Sequence, residues 1–126
     1  ILQGLGYRKR TAVFILISYI AMVIAQDTEY ILLDEPLNNL DMRHSVQIMK
    51  VLRRLADELG KTVIIVLHDI NFASVYSDYI VALKDGKVVR QGPTQEIIRK
   101  SVLKDIYDMD IEIEHINENR ICVFYG

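Results

Sequence analysis

The chain has 126 residues, of which 51% are hydrophobic and 25% charged, and its formal net charge is −2. These values suit one globular domain or part of one, and they argue against a nucleic-acid-binding surface or an acidic tail. The single cysteine, Cys122, excludes an intramolecular disulfide and a cysteine cluster for a metal, so we expect a small core residue in a strand.

The first segment carries no charge over residues 11–26 and is nearly all apolar over 12–25. Because a membrane-spanning helix needs about 20 apolar residues, this length favours a buried helix. A second interpretation stays open, since the basic run at 8–10 before the segment and Val23-Ile24-Ala25 at its end also resemble a secretory signal with a cleavage site. That interpretation would make the protein secreted or membrane-tethered. We treat residues 1–18 as an atypical N-terminal segment.

The next apolar run, 30–33, leads directly into Asp34 and Glu35 and stops at Pro36. A short unbroken apolar run is typical of a strand buried on both faces. Its two carboxylates should emerge at the strand end, because burying an unpaired charge is costly, and the proline prevents a helical Glu35. Two acids there suit phosphoryl chemistry: Asp34 would bind Mg²⁺, often through water, and Glu35 would orient an attacking water. By itself the acid pair fits equally well a strand end that simply enters a polar loop.

A turn at Asn38-Asn39 and a helix over about 42–59 follow this strand. Asp41 is placed to cap the start of the helix and Gly60 its end. Spacings of three and four predict an apolar face made of Val46, Met49, Leu52, Ala56 and Leu59.

A second buried strand is predicted over 62–67 and ends at His68. Strand, helix and strand predict a right-handed crossover with two parallel strands, and ligands bind beyond the carboxyl ends of such strands. We therefore expect Glu35 and His68 to face one shared site. A histidine there can donate to a phosphate oxygen and hold the glutamate and water, although a purely structural histidine is the alternative. His44 and His115 are predicted to be surface residues.

The rest of the chain alternates apolar runs with turn residues, and Asp85-Gly86 is a strong two-residue hairpin turn. A helix is expected over 70–76, strands over 79–83 and 87–90 with a break at 92–93, and short helices from 94 and over 101–107. Strands over 110–114 and 121–125 would form a C-terminal hairpin. We expect a structural appendage there, with a regulatory role as the alternative.

In their order and spacing these motifs resemble an ABC-type ATPase. The run 32–36 resembles the Walker B motif with its glutamate, Leu40-Asp41 the D-loop, His68 the switch histidine, and 84–92 the hairpin that follows. The resemblance covers roughly residue 19 to the C-terminus and favours the importers of iron-siderophores and cobalamin. It implies an α/β fold, a partial P-loop NTPase-type parallel sheet with flanking helices and a C-terminal β-hairpin region. Residues 19–92 would be the C-terminal part of the core and 93–126 an appendage.

The resemblance also implies a function, the C-terminal part of the ATP-hydrolysing subunit of an importer, with ATP and Mg²⁺ bound in the complete subunit. Asp34 would hold magnesium, Glu35 would polarise water, His68 would contact the γ-phosphate, and Asp41 would link two sites across a homodimer. The implied partners are transmembrane permease subunits and a second ATPase subunit, without nucleic acid. The implied location is cytoplasmic, on the inner face of the membrane.

Two motifs of the resembled family do not occur in this sequence. Residues 10–14 stand where its signature is expected and do not match it, and no Gly-x-x-x-x-Gly-Lys-Ser/Thr phosphate loop is present. We therefore expect this chain by itself to bind ATP poorly and to hydrolyse none. A catalytically inert truncated fragment is the alternative function.

Overall fold

The computed structural model describes Ala21 and residues 28–125. Within them, no helix is both long and apolar enough to cross a bilayer. The predictions for the uncharged segment and for residues 1–18 lie outside this part of the chain, except that Ala21 is helical. The chain divides into two compact units, Ile1–His68 and Asp69–Gly126, which we call the first unit and the C-terminal unit.

The first unit contains the predicted strand, helix and strand. Strand β1 covers Tyr30–Asp34, helix α1 covers Met42–Leu59, and strand β2 covers Thr62–Val66. The two strands pair in parallel, with Asp34 opposite Val66. Gly60 ends α1 in the left-handed conformation, with φ 63°, which glycine adopts without strain. The predicted helix and its C-terminal cap are therefore confirmed.

Burial in β1 alternates, so the prediction of a strand buried on both faces is wrong. Ile31 and Leu33 are buried, whereas Leu32 is 68% exposed. Successive side chains of a strand point to opposite faces, so this alternation means that only one face of β1 is covered. An unbroken apolar sequence therefore did not guarantee two covered faces.

The buried face of α1 is rotated relative to the predicted one. Met49 and Leu52 are buried as expected, but Leu59 is 52% exposed. The residues buried along the helix are Ser45, Ile48, Met49, Leu52 and Leu55. Apolar residues occupy neighbouring positions in this helix, so spacing alone left two stripes to choose from. His44, predicted on the surface, is partly buried, while His115 is exposed as expected.

The C-terminal unit contains four strands and three short helices. They are α2 (Ile70–Tyr76), β3 (Tyr79–Lys84), β4 (Lys87–Pro93), α3 (Thr94–Ile97), α4 (Lys100–Tyr107), β5 (Glu112–Ile116) and β6 (Asn119–Val123). Strands β3 and β4 form one antiparallel hairpin and β5 and β6 another. Asp85 and Gly86 both have positive φ, as the predicted hairpin turn requires.

Several element boundaries in this unit differ from the prediction, most of all those of β4, β5 and β6. Strand β4 continues through Gly92 to Pro93. The proline is tolerated there because it occupies the last position of the strand, where its missing N–H disturbs the hydrogen-bond ladder least. The final hairpin turns at Asn117 and Glu118, both with positive φ. Strand β5 therefore lies two residues later than predicted and β6 two residues earlier.

The core of the C-terminal unit is a cluster of buried apolar side chains, Ile98, Leu103, Ile111 and Cys122. The Asn71 amide pairs with both backbone groups of Cys122: its Oδ1 accepts from the Cys122 N–H at 2.7 Å, and its Nδ2 donates to the carbonyl at 3.2 Å. Helix α2 thereby satisfies part of the edge of β6. The prediction of Cys122 as a core residue in a strand is confirmed.

Candidate functional site

The candidate site lies at the carboxyl ends of β1 and β2. Because these strands are parallel and in register, the residues that follow them emerge at the same edge of the sheet. The Glu35 N–H donates to the Val66 carbonyl at 3.1 Å, which extends the pairing one residue beyond β1. His68 stands two residues after the end of β2.

The structure brings the Glu35 and His68 side chains together. His68 Nε2 forms a close hydrogen bond with Glu35 Oε1; since an ionised carboxylate only accepts, the imidazole nitrogen is the donor. The His68 side chain is 79% exposed and that of Glu35 32%. The Glu35–His68 pair is therefore open to solvent, and a ligand can approach it.

Asn38 holds the other oxygen of the same carboxylate. Its Nδ2 donates to Glu35 Oε2 at 2.8 Å. The turn that carries it is closed by backbone hydrogen bonds, from Asn38 N–H to the Glu35 carbonyl at 3.2 Å and from Leu40 N–H to the Leu37 carbonyl at 3.1 Å. These bonds turn the chain back so that the Asn38 amide meets the carboxylate.

The backbone of Glu35 is unusual. Its φ is 49°, in the left-handed region that residues other than glycine rarely adopt. This conformation agrees with the sequence argument that the following Pro36 excludes a right-handed helical Glu35. Such backbone conformations cluster at functional sites.

Hydrogen bonding lowers the pKa of this carboxylate. The hydrogen bond from Asn38 and then that from His68 hold the pKa of Glu35 below its ordinary value; burial opposes them, and the charge of His68 adds a weaker lowering effect. The carboxylate is therefore ionised at neutral pH. An ionised carboxylate can orient a water molecule and accept its proton.

Asp34 stands next to this pair, as the exposed last residue of β1. Among the described residues, no group of three or more His, Cys, Asp or Glu side chains could hold a metal by itself. One exposed carboxylate fits the chemistry of Mg²⁺, which keeps several waters and takes other ligands from substrate phosphates. The exposed Asp34 carboxylate is therefore chemically compatible with a magnesium ion whose other ligands are water and substrate phosphate.

Asp41 is not part of the Glu35–His68 pair. Its Oδ1 accepts from the His44 N–H at 2.9 Å and so caps α1, and it lies 2.8 Å from His44 Nδ1. The predicted capping contact is therefore present. The Asp41 side chain is also accessible to solvent.

The sequence prediction missed the contact of Asn38 with the carboxylate. The pattern assigned Asn38 to a turn only, since asparagine is common in turns. An amide donor three residues after a strand-end acid was the available signal.

Two curated relatives are similar to most of this chain. Petrobactin import ATP-binding protein YclP of Bacillus subtilis (strain 168) is 68% identical over 109 residues, which cover 86% of the chain and 43% of the relative. Petrobactin import ATP-binding protein FatE of Bacillus anthracis is 54% identical over 96 residues, 76% of the chain and 38% of the relative. The chain thus spans less than half the length of these curated relatives. No protein-family model matches it.

Solved structures give the same picture of the fold. An ABC transporter in an inward-facing conformation matches with a TM-score of 0.70 and 22% identity, over 83% of this chain and 44% of that chain. A dimeric ATP-binding cassette, MJ0796, in a post-hydrolysis state with ADP and Pi matches with a TM-score of 0.53 and 41% identity, over 60% and 32%. The first likeness indicates the fold alone. Together they confirm the predicted partial P-loop NTPase-type α/β fold.

Proposed function

Because this chain belongs to the ATP-binding subunits of ABC transporters, we propose that it forms the water-activating part of an importer ATPase. We further propose that this importer takes up iron-siderophores. The support for the cargo is that both relatives described above are named for petrobactin import.

The observation that carries the proposal is the hydrogen-bonded pair of Glu35 and His68 at the ends of two parallel strands. Glu35 accepts a proton from water while the water oxygen attacks the γ-phosphorus of ATP and the bond to the β–γ bridging oxygen breaks. His68 holds the carboxylate with its Nε2–H, and we propose that this one donor is shared with a γ-phosphate oxygen as charge develops there. The His68 side chain is largely exposed and that of Glu35 partly exposed, so solvent and a substrate can reach both.

The neighbouring acids complete the proposed site. Asp34 would bind Mg²⁺ through water, and the ion would neutralise charge on the β- and γ-phosphates. Asp41, at the start of α1, would link this site with that of a second ATPase subunit. Its solvent-accessible side chain is compatible with such a contact.

The proposed assembly is a pair of ATPase subunits attached to transmembrane permease subunits at the cytoplasmic face of the membrane. The pairing is supported by the dimeric state of the cassette MJ0796, which holds ADP and Pi. Within the subunit we propose that residues 19–92 belong to the ATPase core and 93–126 to an appendage. The order of the motifs in the sequence supports this division. The boundary between the two compact units lies elsewhere in the chain, between His68 and Asp69.

The test is Glu35→Gln in the complete ATPase that carries this chain, reconstituted with its permease. Removing the proton acceptor should lower ATP turnover by about 10²- to 10⁴-fold while ATP binding persists. The matched control is Glu58→Gln, which removes the same charge from an exposed position of α1 paired with Arg54. Turnover that stays within twofold (about 0.4 kcal/mol) in both variants would overturn the proposed role of Glu35.

For the 126-residue chain by itself we propose the second function, a catalytically inert fragment. The sequence lacks the phosphate loop whose backbone amides and lysine hold the phosphates. The purified chain should show no ATP turnover, and a pull-down with a complete subunit tests whether it pairs with one. Turnover by the purified chain that disappears on Glu35→Gln would contradict inertness.

A further inference from the structure

The two carboxylate oxygens of Glu35 are each engaged by a different segment of the chain. His68, after β2, contacts Oε1, and Asn38, in the turn after β1, donates to Oε2 at 2.8 Å. A glutamate with a single partner can still rotate its carboxylate about that contact. Two donors on different oxygens fix both the position and the plane of the group.

The chemistry of an amide suits this position. Asparagine carries no charge, so it orients the carboxylate without neutralising it as a lysine or arginine would. A carboxylate has about four acceptor positions, and the two described hydrogen bonds leave others for a water molecule. We call these two hydrogen bonds, from His68 and Asn38, the clamp. The clamp restrains the Glu35 carboxylate without blocking its remaining acceptor positions.

The turn keeps Asn38 in place independently of the carboxylate. Its backbone N–H is bonded to the Glu35 carbonyl, and the next turn is closed from Leu40 to Leu37. A donor on a closed turn is preorganised, and preorganised partners give the precise geometry that proton transfer needs.

We propose that Asn38 is a positioning residue, whose side-chain amide holds the Glu35 carboxylate in the orientation that activates water. This inference rests on the proposed function. Asn38 acts through Glu35 and does not touch the reacting atoms.

The experiment compares Asn38→Ala with Asn38→Gln in the complete ATPase with its permease. Loss of the donor should lower kcat by about 10- to 100-fold with KM for ATP unchanged, because misplacing a catalytic group costs rate rather than substrate affinity. The longer amide of Asn38→Gln should restore part of kcat. The matched control is Asn39→Gly, which removes the neighbouring amide while glycine accepts the φ of 66° found there.

A double variant separates positioning from a merely structural role. If Asn38 acts through Glu35, Asn38→Ala should add no further loss in single-turnover hydrolysis when Glu35→Gln is already present. Independent, additive losses, or a change in KM alone, would overturn the inference. If Glu35→Gln lowers turnover but Asn38→Ala does not, the positioning role fails while the proposed function stands. If Glu35→Gln itself has no effect, both fail.

A measurement on the 126-residue chain checks the contact without turnover. The side-chain amide proton resonances of Asn38 should shift on Glu35→Gln, since a charged acceptor becomes a neutral one. Those of Asn39 should stay in place. Unchanged Asn38 resonances would contradict the clamp.

Discussion

The Glu35 site and the core of the C-terminal unit are held by different forces. The site is an exposed set of hydrogen-bonded polar side chains at strand ends, next to a strand with one uncovered apolar face. The C-terminal core is a closed cluster in which Ile98 and Leu103 are fully buried. Folding stability and the proposed chemistry therefore depend on separate sets of residues, and substitutions should affect one without the other.

The strongest contrast in stability should be between a buried leucine of the C-terminal core, Leu103, and an exposed leucine of β1, Leu32. Leu103→Ala should lower the free energy of unfolding by about 2–5 kcal/mol, because it removes a buried side chain and leaves a cavity. Leu32→Ala, on the uncovered face of β1, should change it by less than about 0.5 kcal/mol. Urea unfolding followed by circular dichroism measures both. An equal cost for the two would mean that the face of β1 is covered in solution.

A polar contact in the C-terminal unit gives the next largest effect. Asn71→Ala leaves the backbone N–H and carbonyl of Cys122 without their described partner, which should cost about 1–3 kcal/mol. Native-state hydrogen exchange should show faster exchange of the Cys122 amide. The control is Asn117→Gly in the exposed final turn, where glycine suits the positive φ. Unchanged exchange in Asn71→Ala would show that the Asn71 side chain does not protect the Cys122 amide.

Alkaline pH should weaken the C-terminal unit, with the smallest effect of the three. Burial, with a further contribution from the Asp69 charge, raises the pKa of the Cys122 thiol; burial, Cys122 and Asp69 raise the pKa of the Tyr107 hydroxyl. A raised folded pKa gives stability that is present below the unfolded values of 9.0 and 10.0 and is lost as pH rises through the folded pKa.

Unfolding midpoints between about pH 7 and 11 measure this loss. Tyr107→Phe should flatten the decline, whereas Tyr125→Phe, at an exposed position, should not. An identical slope in Tyr107→Phe and the unmodified chain would exclude Tyr107 as a source of the alkaline loss.

Local signals predicted a large part of the fold. Asp41 and Gly60 predicted the two ends of α1, because helix capping depends on residues that are close in sequence. The apolar runs and the helix between them also predicted the parallel pair that brings Glu35 and His68 together. In a crossover unit the two strands are parallel, so when they are neighbours their carboxyl ends lie at the same edge of the sheet.

The failures concern features that depend on distant packing or on a single turn. Which stripe of α1 is buried depends on what packs against it, so Leu59 was wrongly placed in the core. The exposed face of β1 has the same origin, because sequence alone does not say what covers a strand. The predicted strands of the final hairpin lie two residues too far from its turn, because the turn is made by Asn117 and Glu118 alone rather than by a longer segment. The hydrogen bond from Asn38 to Glu35 depends on the path of the turn between them, and the residue types alone did not predict that path.

The left-handed backbone of Glu35 has a consequence for variation at this position. Glycine would relax that conformation, whereas an acid there retains a strain of roughly 1–3 kcal/mol that the surrounding structure must absorb. A laboratory selection for heat resistance alone should therefore enrich glycine at residue 35. If Glu35 activates water as we propose, a selection for ATP turnover should retain the acid, so the two selections would favour different residues at position 35.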